Sequence, residues 1–244
     1  DRLEALSELQ PIQKGDFIGI FEAMGSRPVT IRLLDPPLHE FLPHEKEDIV
    51  ELAEAMHMPV DRLEEIVHTL SEFNPMLGHR GCRLAITYPE IYAMQCRAIF
   101  EAIVHVAKEE KIDVHPEIMI PLVGHDKELL ILADMVKEIG NDILKEAGID
   151  VPYKVGTMIE VPRAALTADE IAEHADFFSF GTNDLTQMTL GFSRDDAGKF
   201  IGEYKQKDIF QKDPFESIDQ VGVGKLMKIA VDLGRQKKPG LKIG

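Results

Sequence analysis

Ser179-Phe-Gly-Thr-Asn-Asp-Leu-Thr-Gln-Met-Thr189 is the stretch of this chain that decides its fold class. An apolar run leads into a glycine and then into Thr182, Asn183 and Asp184, a pattern typical of the carboxyl end of a buried parallel strand. Upstream, Val155-Gly-Thr-Met-Ile-Glu-Val-Pro162 repeats this design, because an apolar strand ends in one carboxylate, Glu160, before a proline that suits a helix start. Glu160 and Asp184 are therefore candidates to share one divalent metal ion.

Composition and charge restrict the possible partners. The 244 residues are 44% hydrophobic and 29% charged, which describes a chain long enough to bury a sizeable core as one domain. The net charge of -16 argues against nucleic acid or an anionic membrane as a partner of the whole surface, since both would be repelled. Two cysteines are too few for a disulfide framework, and we find no apolar segment typical of export or membrane insertion. We therefore expect a cytoplasmic protein.

Short apolar runs alternate with amphipathic segments along the chain. Strands are predicted at 29–34, 117–123 and 177–180 and from Tyr153 onward, and helices at 45–57, 60–70, 90–110, 127–146, 163–174 and 218–236. We expect five strands and the start of a sixth, the last at 241–244. This alternation predicts an α/β fold of the (β/α)8 TIM-barrel type. Because the strands number fewer than eight, either the sheet is open or the chain is a piece of a longer protein, and the abrupt end at Gly244 favours the second. We expect one domain over residues 1–244.

Two arginines complete a candidate anion site. Arg32 lies in the apolar run before Asp35, and Arg80 lies in a glycine-rich turn. The planar guanidinium donates two parallel hydrogen bonds to a phosphate or carboxylate group. Two carboxylates suit a hard cation such as magnesium, and the donors of the segment Gly181–Asn183 suit a second anionic group. Together these residues predict a pocket for a small phosphorylated acid that is held through a metal ion.

Each candidate also has a structural interpretation. Glu160 or Asp184 alone is often a helix N-cap or a surface charge, and the less favoured interpretation of Arg32 is a surface pair with Asp35. Other residues are interpreted as structural or left open: Arg83 as the partner of a nearby acid or a ligand contact, Arg194-Asp-Asp196 as a charged loop, Cys82 and Cys96 as core residues, and His79 as a turn residue or a support of Arg80.

Four segments carry a family resemblance: 32–41, 72–84, 156–163 and 180–187. They resemble the C-terminal, phosphoenolpyruvate- and pyruvate-binding domain of the pyruvate, phosphate dikinases, which are PEP-utilising enzymes. The resemblance covers essentially all of the chain. The two later segments recur in the wider group that includes phosphoenolpyruvate synthase and enzyme I of the phosphotransferase system, whereas the two earlier segments are typical of the dikinases.

The resemblance implies a magnesium-dependent barrel that binds phosphoenolpyruvate (PEP) or pyruvate. A phosphohistidine on a separate domain would exchange its phosphoryl group with this substrate, within the conversion of ATP, pyruvate and phosphate into AMP, PEP and diphosphate. Residue roles carried over by motif are the phosphoryl and enolate contacts of Arg32 and Arg80, the metal ligands Glu160 and Asp184, and the carboxylate contacts of Gly181, Thr182 and Asn183. A homodimer is also implied.

The same resemblance implies an incomplete (β/α)8 barrel, whose first and last strands lie outside this chain together with further parts of the site. A substrate-binding arginine would lie on a strand before residue 1, and a cysteine that protonates the enolate would follow Gly244. We therefore expect little or no turnover from this chain alone. Two alternatives stay open, namely a phosphoenolpyruvate synthase or other enolate-forming barrel, and a non-catalytic fragment that serves in dimerisation or docking.

Overall fold

The computed structural model describes residues 2–244, which contain twelve α-helices and five β-strands. The helices are α1 Arg2–Met24, α2 Lys46–Ala55, α3 Val60–Leu70, α4 Gly81–Thr87, α5 Pro89–Lys108, α6 Asp126–Ala147, α7 Pro162–Leu166, α8 Ala168–Ala172, α9 Thr182–Leu190, α10 Arg194–Ala197, α11 Ile201–Gln206 and α12 Val223–Lys237. The strands are β1 Pro28–Arg32, β2 His115–Ile120, β3 Lys154–Ile159, β4 Phe177–Phe180 and β5 Lys242–Ile243.

All five strands form one parallel sheet in the order β1-β2-β3-β4-β5. The predicted α/β fold with a parallel sheet is therefore confirmed. Within the described residues the sheet is open, because β1 and β5 are its edges, and the closed eight-stranded barrel is not observed. The expected count of five strands plus the start of a sixth was wrong by one. The strand at Lys242–Ile243 is the fifth.

An ion-pair network shows that the sheet is strongly curved. Lys242 Nζ on β5 lies 2.7 and 2.8 Å from the two carboxylate oxygens of Glu117 on β2, although β3 and β4 separate these strands. In a flat sheet, strands three places apart are roughly 14 Å apart. Thr30 Oγ1 donates to the same carboxylate at 2.8 Å, and Lys154 Nζ lies 3.7 Å from it. The concave face of the sheet thus brings side chains from β1, β2, β3 and β5 together.

The apolar side chains of the convex face pack beneath helices. Phe100 and Ile103 of α5, Leu132 of α6, and Ile118 and Ile120 of β2 are all buried in one hydrophobic cluster. Burial of such side chains stabilises the sheet by about 1.5–3 kcal/mol for each large residue.

None of the helices in residues 2–244 is both long and apolar enough to cross a bilayer.

Several predicted boundaries differ from those observed. The helix predicted at 163–174 is broken at Thr167 into α7 and α8. Between residues 180 and 218, where no helix was predicted, the structure contains α9, α10 and α11. The strand predicted at 117–123 ends at Ile120, because Pro121 cannot donate to a ladder and Leu122 adopts a left-handed backbone conformation with φ of 63°. These differences move the start of the site loops, but they leave the strand order unchanged.

Candidate functional site

Four charged side chains converge at the carboxyl ends of the strands. Asp35 follows β1, Glu160 directly follows β3, and Asp184 lies in the first turn of α9 after β4. Arg80 immediately precedes α4, in the loop that begins after α3. Because parallel strands all end at one edge of the sheet, residues far apart in sequence meet there.

The Arg80 guanidinium lies between two carboxylates and is only 8% exposed. Its Nη2 lies 2.6 Å from Asp35 Oδ2 and its Nε donates to Asp35 Oδ1 at 3.3 Å. Its Nη1 donates to Asp184 Oδ1 at 3.2 Å and its Nη2 donates to Asp184 Oδ2 at 3.3 Å. Burial alone lowers the pKa of this guanidinium, but its bonds to Asp35 and Asp184 outweigh burial and raise the pKa above its ordinary range. Arg80 is therefore a fixed cation that joins the ends of β1 and β4.

Glu160 is the most buried acid of the group, with 1% of its surface exposed. Its Oε1 accepts a 2.6 Å hydrogen bond from the backbone amide of Leu122, the residue in left-handed conformation. Burial raises the pKa of Glu160 to about 7, and the nearby charges of Asp184 and Asp35 add to this rise. The Leu122 amide and Arg80 lower it in part. The site thus holds more negative charge than Arg80 alone balances.

Two glycines allow this close packing. A Cβ atom added to Gly181 would lie 2.3 Å from Glu160 Oε2 and 2.7 Å from Met158 Sδ. Gly81 adopts φ of 53°, and its added Cβ would lie 2.8 Å from the Cβ of Leu122. The glycines that flank the polar motifs therefore make room for the Glu160 carboxylate and for the turn that aims the Leu122 amide at it.

A cavity of about 760 Å³ opens beside these side chains. Its floor includes Asp35, Arg80 and Asp184, and its rim includes the exposed rings of Phe41 and Phe73. The complete lining is Asp35, Pro36, Pro37, Glu40, Phe41, Phe73, Asn74, Pro75, Met76, Arg80, Asn183, Asp184, Gln187, Ser193, Arg194, Asp195 and Asp196. Such a volume is adequate for a small anionic ligand with a hydrated cation.

The structure places three of the seven predicted site residues, Arg80, Asn183 and Asp184, in the cavity lining. Glu160 is buried outside that lining, and the backbone of Gly181 lies against its carboxylate. Arg32 and Thr182 are exposed and lie outside the cavity lining. The Arg32 Nη1 atom is 3.6 Å from Asp35 Oδ2, so the surface pairing considered for these two residues is observed.

The neighbouring motif residues have structural contacts. Arg83 Nη1 donates to the carbonyl oxygens of Leu77 and Gly78 at 3.0 and 2.9 Å, so it braces the turn through carbonyl groups and not through an acid. His79 Nε2 lies 2.5 Å from Thr87 Oγ1, which ties that turn to α4. Both cysteines, Cys82 and Cys96, are buried free thiols, as predicted.

Sequence reasoning missed two residues of the site. Asp35 was interpreted only as a partner of Arg32, yet its main contact is the bidentate pair with Arg80. Arg194 was interpreted as part of a charged loop, whereas it begins α10 and lines the cavity. Its backbone amide donates to Gln187 Oε1 at 2.7 Å, which fixes it to α9. The position of Asp35 at a strand end, before two prolines, is the sequence signal that could have identified it.

The residues present fit a partial magnesium site. No cluster of three or more His, Cys, Asp or Glu side chains in residues 2–244 is arranged as a complete metal site. Magnesium, however, is commonly held by one or two carboxylates together with substrate oxygens and water. Three carboxylates around one guanidinium leave unbalanced negative charge, and a divalent cation would reduce it. Glu160 and Asp184 supply hard oxygen ligands of the right kind.

Comparisons with known proteins give a family match over nearly the whole chain. The family described as PEP-utilising enzyme, PEP-binding domain, matches residues 1–239. The chain is 59% identical to pyruvate, phosphate dikinase of Clostridium symbiosum over 243 residues, which are 100% of this chain and 28% of that protein. It is 56% identical to the Rhizobium meliloti protein of the same name, with 100% of this chain and 27% of that protein covered. It is also 56% identical to the chloroplastic pyruvate, phosphate dikinase 1 of Oryza sativa, with 100% of this chain and 26% of that protein covered. The chain thus spans only about a quarter of the length of these curated relatives.

Proposed function

Because this chain belongs to the family of PEP-utilising enzymes, as their PEP-binding domain, we propose that it is the PEP- and pyruvate-binding domain of a pyruvate, phosphate dikinase. The observation that carries the proposal is the convergence of Arg80, Glu160 and Asp184 beside one cavity at the strand ends. The shared name of the three relatives favours a dikinase over a phosphoenolpyruvate synthase.

The proposed reaction is phosphoryl transfer between pyruvate and a phosphohistidine of another domain. In the direction of pyruvate formation, the bond between phosphorus and the enol oxygen of PEP breaks, the phosphoryl group passes to the histidine nitrogen, and the enol oxygen keeps the electron pair. Negative charge therefore moves onto the enolate oxygen. Preorganised cationic donors stabilise such developing charge without reorganisation.

Arg80 is the residue we assign to the phosphoryl group. Its bonds to Asp184, at 3.2 and 3.3 Å, are longer than the 2.6 Å bond to Asp35. A phosphoryl oxygen can replace Asp184 on the guanidinium while Asp35 keeps the side chain in position. This exchange frees the Asp184 carboxylate. Arg32, at the end of β1 on the same side of Asp35, is the second proposed phosphoryl contact.

Glu160 and the freed Asp184 would hold magnesium, with substrate oxygens and water as its other ligands. When bound, the metal ion supplies electrostatic stabilisation of the oxygen charges of the substrate. The side chains of this chain provide the rest of the environment. Gly181, Thr182 and Asn183 stand at the start of α9, where backbone amides and the helix dipole favour an anion, and we assign them to the substrate carboxylate.

The curved sheet supports a barrel in the longer protein. The contact of Lys242 with Glu117 spans β2 to β5, and Arg80 joins the ends of β1 and β4. Strands that curl to this extent are expected to close once further strands pair with β1 and β5. We propose that these five strands form part of a (β/α)8 barrel. The homodimer and the cytoplasmic location stay predictions.

Calorimetric titration of PEP into the chain, with and without magnesium, tests the proposed function. We expect magnesium-dependent binding that Asp184→Ala abolishes and that Asp61→Asn, which changes an exposed acid on α3, leaves unchanged. Circular dichroism confirms that each variant is folded. If folded wild-type chain bound neither PEP nor pyruvate in either condition, the proposed binding function of this chain would be overturned and a docking role would be favoured.

A further inference from the structure

The peptide that joins β1 to Asp35 is held by two buried polar side chains of α5. The amide of Leu33 makes the last ladder bond of this strand region, a 3.0 Å bond to the carbonyl of Met119. Beyond it, the amide of Leu34 donates to Gln95 Oε1 at 2.9 Å, and the Tyr92 hydroxyl donates to the carbonyl oxygen of Leu34 at 2.7 Å. The backbone amide and the carbonyl of Leu34 are thus both hydrogen-bonded to side chains of α5.

Tyr92 and Gln95 stand out among the side chains of α5. Tyr92 is fully buried and Gln95 is 9% exposed, and the adjacent buried positions of the helix are apolar, such as Ile91, Cys96 and Ile99. A buried hydroxyl or amide is costly unless it is hydrogen-bonded, so each needs a specific partner. Both find that partner in Leu34. Burial raises the pKa of the Tyr92 hydroxyl, so it stays protonated and donates at neutral pH.

The residue fixed in this way directly precedes the aspartate that holds Arg80. Asp35 is 6% exposed, and its own carbonyl oxygen accepts the Gly81 amide at 3.0 Å, one residue after Arg80. Pro36 follows and restricts the Asp35 backbone to extended conformations. The Asp35 carboxylate therefore has little freedom to move once Leu34 is fixed, and Arg80 is bound to that carboxylate through two nitrogen atoms.

We propose that Tyr92 and Gln95 are positioning residues for Arg80, which they orient through Leu34 and Asp35. This inference rests on the proposed function only in that Arg80 is the phosphoryl contact. Neither side chain lines the cavity. They set the angle at which the guanidinium faces the cavity, and a displacement of that group by a fraction of an ångström weakens a bidentate contact with an anion.

The test uses variants that remove one hydrogen bond each. Tyr92→Phe removes the donor to the Leu34 carbonyl, and Gln95→Met removes the acceptor of the Leu34 amide. Gln95→Glu restores an acceptor at that position. Tyr153→Phe is the control, since it removes a tyrosine hydroxyl that donates to Asn141 Oδ1 at 2.8 Å in an exposed hydrogen bond, without a contact to Leu34.

The first readout needs no ligand. Hydrogen exchange of the Arg80 Nε proton, which donates to Asp35 Oδ1, is followed by nitrogen-15 NMR and assigned by its absence in Arg80→Lys. We expect exchange to accelerate about tenfold in Tyr92→Phe and Gln95→Met, the factor associated with one lost hydrogen bond. Gln95→Glu and Tyr153→Phe should exchange as wild type does. Unchanged exchange in both folded loss variants would overturn the proposal.

The second readout is PEP affinity in the presence of magnesium. The two loss variants should bind about five- to tenfold more weakly, with Gln95→Glu close to wild type. Faster exchange with PEP affinity equal to that of Tyr153→Phe would also overturn the positioning role. If wild-type chain binds no PEP, the proposed function fails, and the exchange measurement alone then decides whether α5 orients Arg80.

Discussion

Glu160 is a carboxyl group buried among other carboxyl groups, and its protonation couples the site to stability. Burial raises its pKa from an ordinary 4.5 to about 7. Between these values the folded chain binds more protons than the unfolded chain, so the free energy of unfolding must fall as pH rises through this window. At pH 8 the buried charge costs about 3 kcal/mol, at about 1.4 kcal/mol for each pH unit.

We therefore expect Glu160→Gln to stabilise the metal-free chain at pH 8 by about 1–3 kcal/mol and to lose this advantage near pH 5. Glutamine keeps an oxygen for the Leu122 amide but carries no charge. Urea denaturation at pH 5, 6, 7 and 8 measures the difference, with Glu47→Gln on an exposed turn of α2 as the control. Parallel stability curves for wild type and Glu160→Gln would show that Glu160 does not titrate in this range.

Gly181 tests the close approach of backbone and carboxylate. Gly181→Ala should destabilise the chain by about 1–3 kcal/mol, because the new Cβ overlaps Glu160 Oε2 and Met158 Sδ. It should also weaken magnesium-dependent binding, since the Glu160 carboxylate must move. Gly202→Ala on α11 is the control, because its added Cβ meets nothing within 4 Å. Thermal unfolding and calorimetry measure both effects, and equal behaviour of the two variants would contradict the packing argument.

Among the elements, β2 and β5 are connected by the most informative ion pair. Burial alone raises the pKa of Glu117, but Lys242, Thr30 and Lys154 outweigh it and lower the pKa below its ordinary value. A lowered pKa gives stability that is present above the unfolded value of 4.5 and lost as pH falls through the folded value. The network therefore holds the curved sheet together at neutral pH and weakens in acid.

Lys242→Met should cost about 2–3 kcal/mol at pH 7, because it leaves the nearly buried Glu117 carboxylate with weaker partners. The cost should shrink as pH falls below 4.5. Lys228→Met breaks an exposed pair with Asp232 and should change stability by less than about 1 kcal/mol. Guanidinium denaturation across pH 3.5–7 compares them. A cost for Lys242→Met that does not depend on pH would mean that Glu117 is not the group responsible.

The elements also show what sequence patterns determine. The limits of α3 and β4 match those predicted, because the apolar residues of α3 repeat with the helical period and β4 is a short, almost continuous apolar run. The sequence patterns also predicted that Glu160 and Asp184 lie at the same edge of the sheet. It missed the pairing of Asp35 with Arg80, because 45 residues separate them and no local pattern encodes that contact. The end of β2 was missed because hydrophobicity does not reveal the left-handed backbone of Leu122. Helix α1 was not among the predicted helices, because Pro11 within it interrupts the helical pattern.

At the scale of the whole molecule, negative charge dominates both the surface and the cavity. The net charge is -16, and the cavity lining carries five carboxylates but two guanidinium groups. An anionic substrate is therefore repelled until a cation lowers this potential. This balance predicts that magnesium binds before PEP and that its affinity depends on the field of the entire chain as well as on Glu160 and Asp184.

The dependence on salt separates the field of the chain from its local ligands. Raising the ionic strength from about 20 mM to about 200 mM shortens the Debye length from roughly 20 Å to below 10 Å. Screening of distant carboxylates should then weaken magnesium binding to the ligand-free chain by about five- to tenfold, as measured by calorimetry. The titration is repeated in tetramethylammonium chloride, because tetramethylammonium, unlike potassium, does not coordinate carboxylates. An affinity that is equal at both ionic strengths would show that the immediate ligands alone determine it, and the net charge of the chain would then have no part in assembling the site.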